Sequence, residues 1–112
     1  MPAEPFVALL YAFANPASIG DNQIVAAVPN KRIRVLAYTL SNQVATANNV
    51  KFRSAANDKT SLKTLPANTA VSILSRGGDV FAPAFECNVG EALNLNLSAG
   101  TSVGIDVTYQ LV

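Results

Sequence analysis

The sequence predicts an all-β fold, an antiparallel sandwich or barrel, on three observations. Leu93, Leu95 and Leu97 alternate with Asn94, Asn96 and Ser98, and Val103, Ile105, Val107, Tyr109 and Leu111 alternate with Gly104, Asp106, Thr108 and Gln110. A period of two places apolar side chains on one face of an extended strand and polar ones on the other. Turn residues recur at roughly the 8–12-residue spacing of short strands, and no stretch sustains a helical period for several turns.

Residues 1–20 stand apart. Pro2 and Pro5 keep the start extended, Phe6 to Ala14 is apolar throughout, and Asn15-Pro16 breaks the run. Phe6, Leu9, Leu10 and Phe13 form a stripe at helical spacing, but the run is short for a helix and suits a strand or an arm laid on a neighbouring subunit equally well. Residues 1–20 are therefore expected to be an N-terminal arm or extra strand, and residues 21–112 a β-sandwich domain.

Within that domain Gln23 to Val28 is expected as a strand, ended by the turn pair Pro29-Asn30. Lys31 to Leu40 follows, with Ile33, Val35 and Ala37 on one face and Arg32 and Arg34 on the other. Its second face turns apolar at Leu36, Tyr38 and Leu40, which implies cover on both sides at the far end. Ser41 to Asn49 is a polar loop. Val50 to Ser54 is a strand pointing Lys51 and Arg53 outward, and Asn57-Asp58 is a turn. Ser61 to Leu65 and Thr69 to Leu74 are further strands, Arg76 to Asp79 a turn, and Val80 to Phe85 an edge segment marked by Pro83. The short connection containing Gly100 is expected to fold the last two strands, Glu91–Ser98 and Val103–Val112, into an antiparallel hairpin.

Composition narrows the function. Only 13% of residues are charged and half are hydrophobic, against about 25% charged in an ordinary soluble domain. Eight basic and seven acidic residues cover the surface thinly, so part of it is expected to be buried against other subunits. A net charge of +1 offers no electrostatic footprint for nucleic acid or an anionic membrane. The longest apolar run falls short of the roughly 20 residues of a membrane span. The acidic start lacks the basic region of an export signal, so the protein is expected to be neither secreted nor membrane-bound.

Histidine is absent, which removes the commonest general base and the usual transition-metal ligand. The carboxylates fall mostly at turns and strand ends, and phosphate loops and metal knuckles are missing. No catalytic, cofactor-binding or metal-binding residue is expected, and the chain is read as a non-enzyme. The single Cys87 is expected to be a small core residue. The candidate interface has three parts. The first is the apolar segment with Phe6, Leu9, Leu10 and Phe13. The second is a positive stripe, Arg32, Arg34, Lys51 and Arg53, formed if their strands pair. The third is the uncharged polar face of the closing hairpin, with Asn94, Asn96 and Gln110, where amides cost less to desolvate than charges.

Two blocks carry a resemblance. Ile24 to Val28 with Lys31 to Leu36 and Tyr38 is one, and Gly90 to Ser98 closing with Thr108-Tyr109 is the other, with Lys51-Phe52 between them. Over residues 21–112 the chain resembles small virion proteins of tailed bacteriophages, among them capsid decoration, or cement, proteins. That resemblance implies a jelly-roll-like antiparallel β-sandwich sitting as a homotrimer on the outer capsid surface; residues 1–20 fall outside it, and an extended N-terminal arm anchored to the shell is inferred from their position alone. The implied partners are the major capsid protein and further copies of the chain, with no nucleic acid, membrane or cofactor. A receptor- or glycan-binding module of a tail or fibre is the competing expectation.

Overall fold

Strong alternation produces strands where it was expected to. The computed structural model describes residues 8–74 and 83–112. Its described strands are β1 (Leu10–Ala14), β2 (Gly20–Val25), β3 (Ile33–Asn42), β4 (Asn48–Ser54), β5 (Asn57–Asp58), β6 (Lys63–Leu65), β7 (Thr69–Leu74), β8 (Phe85–Glu86), β9 (Leu93–Leu97) and β10 (Gly104–Leu111), with no helix among the described residues. Phe6, the expected Arg76–Asp79 turn and residues 80–82 of the expected edge segment lie outside the described residues.

The strands form two antiparallel sheets packed together. Sheet I has the order β1-β10-β3-β7, with β8 also on β3, and sheet II the order β2-β9-β4-β5, with β6 also on β4. Alternate residues of β9 and β4 point inward: Leu93, Leu95 and Leu97 from one, Val50 and Phe52 from the other. From sheet I, Ile33, Val35, Tyr38, Leu40, Ile105 and Val107 meet them, all nearly inaccessible to water. Cys87 lies in the same core, as expected, and burial pushes its thiol pKa up.

The closing hairpin does not form. β9 lies between β2 and β4 in sheet II, whereas β10 lies between β1 and β3 in sheet I. Residues 98–103 are an arch from one sheet to the other. Two strands with one apolar face each can bury those faces side by side or facing one another across a core, and a period of two does not distinguish the cases. Two buried asparagines hold such arches. Asn48 Nδ2 donates to Ala99 O (3.1 Å), Thr101 O (3.3 Å) and Thr101 Oγ1 (3.1 Å), and Ala99 N–H donates to Asn48 Oδ1 (3.1 Å). Asn42 does the same for the β3–β4 crossing, donating to Thr46 O (2.9 Å) and Leu65 O (3.1 Å) and accepting from Val44 N–H (3.2 Å).

β3 is not covered on both sides in the manner its sequence implied. The register with β10 pairs Val35 with Tyr109 and Ala37 with Thr108, leaving Leu36 as an extra residue. This β-bulge shifts the phase of the strand. Ile33 and Val35 before it, and Tyr38 and Leu40 after it, therefore share one core face, while Ala37 turns outward. The expected Asn57-Asp58 turn is instead β5, and the reversal sits two residues earlier at Ala55, whose φ is 48°. Asn30 takes the left-handed conformation of a turn (φ 63°), as Pro29-Asn30 led one to expect.

Candidate interaction surfaces

The four basic residues do not form one stripe. Because β3 and β4 belong to different sheets, Arg32 and Arg34 lie on one side of the molecule and Lys51 and Arg53 on the other. Each is also paired. Arg34 Nε lies 2.6 Å and Arg32 Nη1 3.5 Å from Glu86 carboxylate oxygens. Lys51 Nζ is 3.1 Å from Asp58 Oδ2, and Arg53 contacts Asp21 (2.9 Å) and Asp58 (3.0 Å).

These contacts close the outer face of sheet II with its own side chains. Asp21 on β2 also accepts from Asn96 Nδ2 on β9 (2.9 Å), and Asn94 Nδ2 donates to Ala55 O (3.1 Å). A chain of polar contacts thus runs across the sheet from β2 to β5. Asn94 and Asn96, expected as intermolecular contacts, have partners within the chain. Gln110, expected beside them, lies in the other sheet and is buried at 6% exposure. The polar faces of β9 and β10 are not one surface, because the two strands do not pair.

At one end of sheet II the strand ends converge on Glu91. Gly90, with φ at 75°, lets the chain turn so that Glu91 accepts from Ser54 Oγ (2.7 Å), Asn88 Nδ2 (2.9 Å) and Asn57 Nδ2 (3.3 Å). The Ser54 hydroxyl first, then the two amides and the Lys59 charge, hold this carboxyl below its ordinary value of 4.5. Lys51 similarly lowers Asp58. A carboxyl depressed in the folded state contributes stability that is present above its unfolded value and is lost as pH falls through the folded one. Melting temperature is therefore expected to hold steady above about pH 4.5 and to decline below it, with a shallower acid slope in Glu91→Gln. Identical slopes for the two proteins would remove Glu91 from the account. Among the described residues, no group of three or more His, Cys, Asp or Glu side chains comes together as a metal site would require.

The outer face of sheet I differs. Its edge strand β1 is extended, so Leu9 and Phe13 fall on the outer face with Tyr11 between them, while Leu10 and the core-packed Ala12 and Ala14 alternate with that row on the inner side. Phe13 is 82% exposed, Tyr11 73% and Leu9 43%. The two aromatics form one wall of a shallow groove whose floor is Ala37, Thr39, Asp106 and Thr108. Thr39 and Ser72 hydroxyls continue it in contact at 3.1 Å. Sequence reasoning marked Leu9 and Phe13 but missed Tyr11. Alternation from Leu9 to Phe13 was the available signal, masked because the whole run is apolar.

No protein-family model matches the chain, and a search of curated proteins finds no match to it.

Proposed function

We propose that this chain is a non-catalytic structural protein of a phage virion, a decoration protein that self-associates as a homotrimer and binds the outer surface of the assembled head. The observation that carries the reading is the contrast between the two outer faces. One is crossed from β2 to β5 by its own ion pairs, while the other, beyond its Arg32–Glu86 and Arg34–Glu86 pairs, presents exposed aromatics beside small, mostly uncharged side chains. A contiguous apolar patch on a thinly charged domain is the mark of a protein that works by burying surface.

A jelly-roll wrapping is part of this proposal. The chain winds between the sheets, β1 to sheet I, β2 to sheet II, β3 to sheet I and β4 to sheet II, then adds β7 to the edge of sheet I beyond β3, and returns by β9 and β10 to lie between the earlier strands. Two interlocked Greek keys produce that order. Residues ahead of β1 are proposed as the arm that reaches the shell. Binding only the assembled capsid adds the binding free energy to particle stability through linkage, and many copies on one lattice gain from avidity.

The test is made on particles. The protein should co-purify with heads, and heads stripped of it should release DNA at a lower temperature, restored by adding it back. Immunogold labelling confined to the tail tip would replace this reading with that of a tail or fibre module.

A further inference from the structure

We propose that β1 of one copy pairs antiparallel with β1 of a second copy about a two-fold axis through Tyr11, joining two copies of sheet I into one continuous sheet. The inference rests on the backbone and charge of this edge and does not depend on the virion reading.

The hydrogen-bonding direction of β1 follows from its register. Val103 N–H donates to Pro16 O (3.0 Å), in line with Ala14 opposite Ile105 and Ala12 opposite Val107. In an antiparallel ladder, residues in hydrogen-bonded pairs direct both backbone groups at the partner, and the residues between them direct both away. Leu10, Ala12 and Ala14 thus bond to β10, and Leu9, Tyr11 and Phe13 aim their N–H and C=O groups at the open side. Among the described residues nothing pairs with that side of β1.

Proteins ordinarily protect such an edge with charge, proline, a bulge or brevity. The edges of sheet II are protected: β2 carries Asp21 and a register shift between Gln23 and Val25, and β5 and β6 are two and three residues long beside Lys59 and Lys63. In sheet I the far edge, divided between β7 and β8, is uncharged along β7, and β1 is the edge that also presents exposed aromatics. β1 has none of these devices, and residues 8–20 contain no charged side chain. A second copy therefore meets no like-charge repulsion.

A two-fold axis at Tyr11 sets Tyr11 against its mate and Phe13 against Leu9 of the other copy. All three pairs are hydrogen-bonded ones, and their side chains form one apolar strip on the outer face. Two exposed aromatics and a leucine from each copy amount to about 700 Å² over both, below the roughly 1,200–2,000 Å² of a standard stable interface. The contact is accordingly weak in isolation, at micromolar to millimolar concentration, and strengthens where copies are held close together.

Sedimentation velocity over a rising concentration series tests it. Tyr11→Pro removes the N–H aimed at the open side and leaves the ladder to β10 intact, so the mass at high concentration should fall by half while the melting temperature holds. Phe13→Lys should act the same way and serves if the proline variant does not fold. Under oxidising conditions Tyr11→Cys should form a disulfide-linked dimer, since hydrogen-bonded pairs hold their Cα atoms about 5.5 Å apart. Phe13→Cys should not, because its mate is displaced along the strand. Unchanged mass in both Tyr11→Pro and Phe13→Lys, or equal cross-linking at positions 11 and 13, would overturn the proposal.

Discussion

Replacing Asn48 by leucine is expected to lower stability by about 3 kcal/mol, the cost of leaving several part-buried backbone groups without their partner. Leucine keeps the branched four-atom skeleton and is no smaller, so the loss reports the hydrogen bonds and not a cavity. Asn48 is 2% exposed, and its amide serves both sides of the arch: the Ala99 N–H and two carbonyls, Ala99 and Thr101, all close on it. Without it those groups must find water or stay unpaired inside the molecule. In a domain of ordinary stability, about 5–15 kcal/mol, such a loss is a large fraction of the whole. It corresponds to a midpoint roughly 10–15 °C lower on heating. Urea unfolding should show a lower midpoint with an unchanged slope, because the surface exposed on unfolding is the same. A variant as stable as the parent would mean that the arch is held by its flanking strands alone.

Asn48 also marks the limit of what could be read in advance. Leu93, Leu95, Leu97, Val50 and Phe52 were legible as core because period-two alternation is a local property of the chain. Which strand neighbours which is not local. The arch at residues 98–103 has the length and composition of a hairpin turn, and only the packing of β9 and β10 on opposite sides of the core separates the two. The bulge at Leu36 was hidden for a related reason. A phase change inside a strand resembles a strand covered on both faces until its neighbour's register is known. The positive stripe failed by the same route, since it required β3 and β4 to be neighbours. Asn42 and Asn48 looked like loop residues because asparagine is common in turns. Their burial follows from the crossing that they secure. The candidate surface was half legible: Leu9 and Phe13 were marked, but on an apolar segment whose period only its pairing with β10 decides.

The other large effect is expected at Phe52. This ring, from sheet II, lies 4.7 Å from Tyr38 and 5.0 Å from Phe85, both of sheet I, at centroid distances typical of edge-on and tilted aromatic pairs. It is 1% exposed. Phe52→Ala removes the ring that links the two sheets and leaves a cavity between them, at a cost of about 3–5 kcal/mol. Phe52→Leu should recover most of that loss, because it restores much of the volume and forfeits chiefly the aromatic contacts. The damage should not be uniform. β8 pairs with β3 only at Arg34 and Val35, and Phe85 helps anchor it through the same cluster. Amide hydrogen exchange should therefore accelerate at Phe85–Cys87 in Phe52→Ala beyond the general destabilisation, whereas the β1–β10 ladder should follow the global change. Uniform acceleration at both places would show that the ring contributes volume but no local anchoring. The comparison also separates folding from assembly. Phe52→Ala should lower the melting point and leave association intact wherever the protein is folded, while Tyr11→Pro should change association and leave the melting point of the single domain in place.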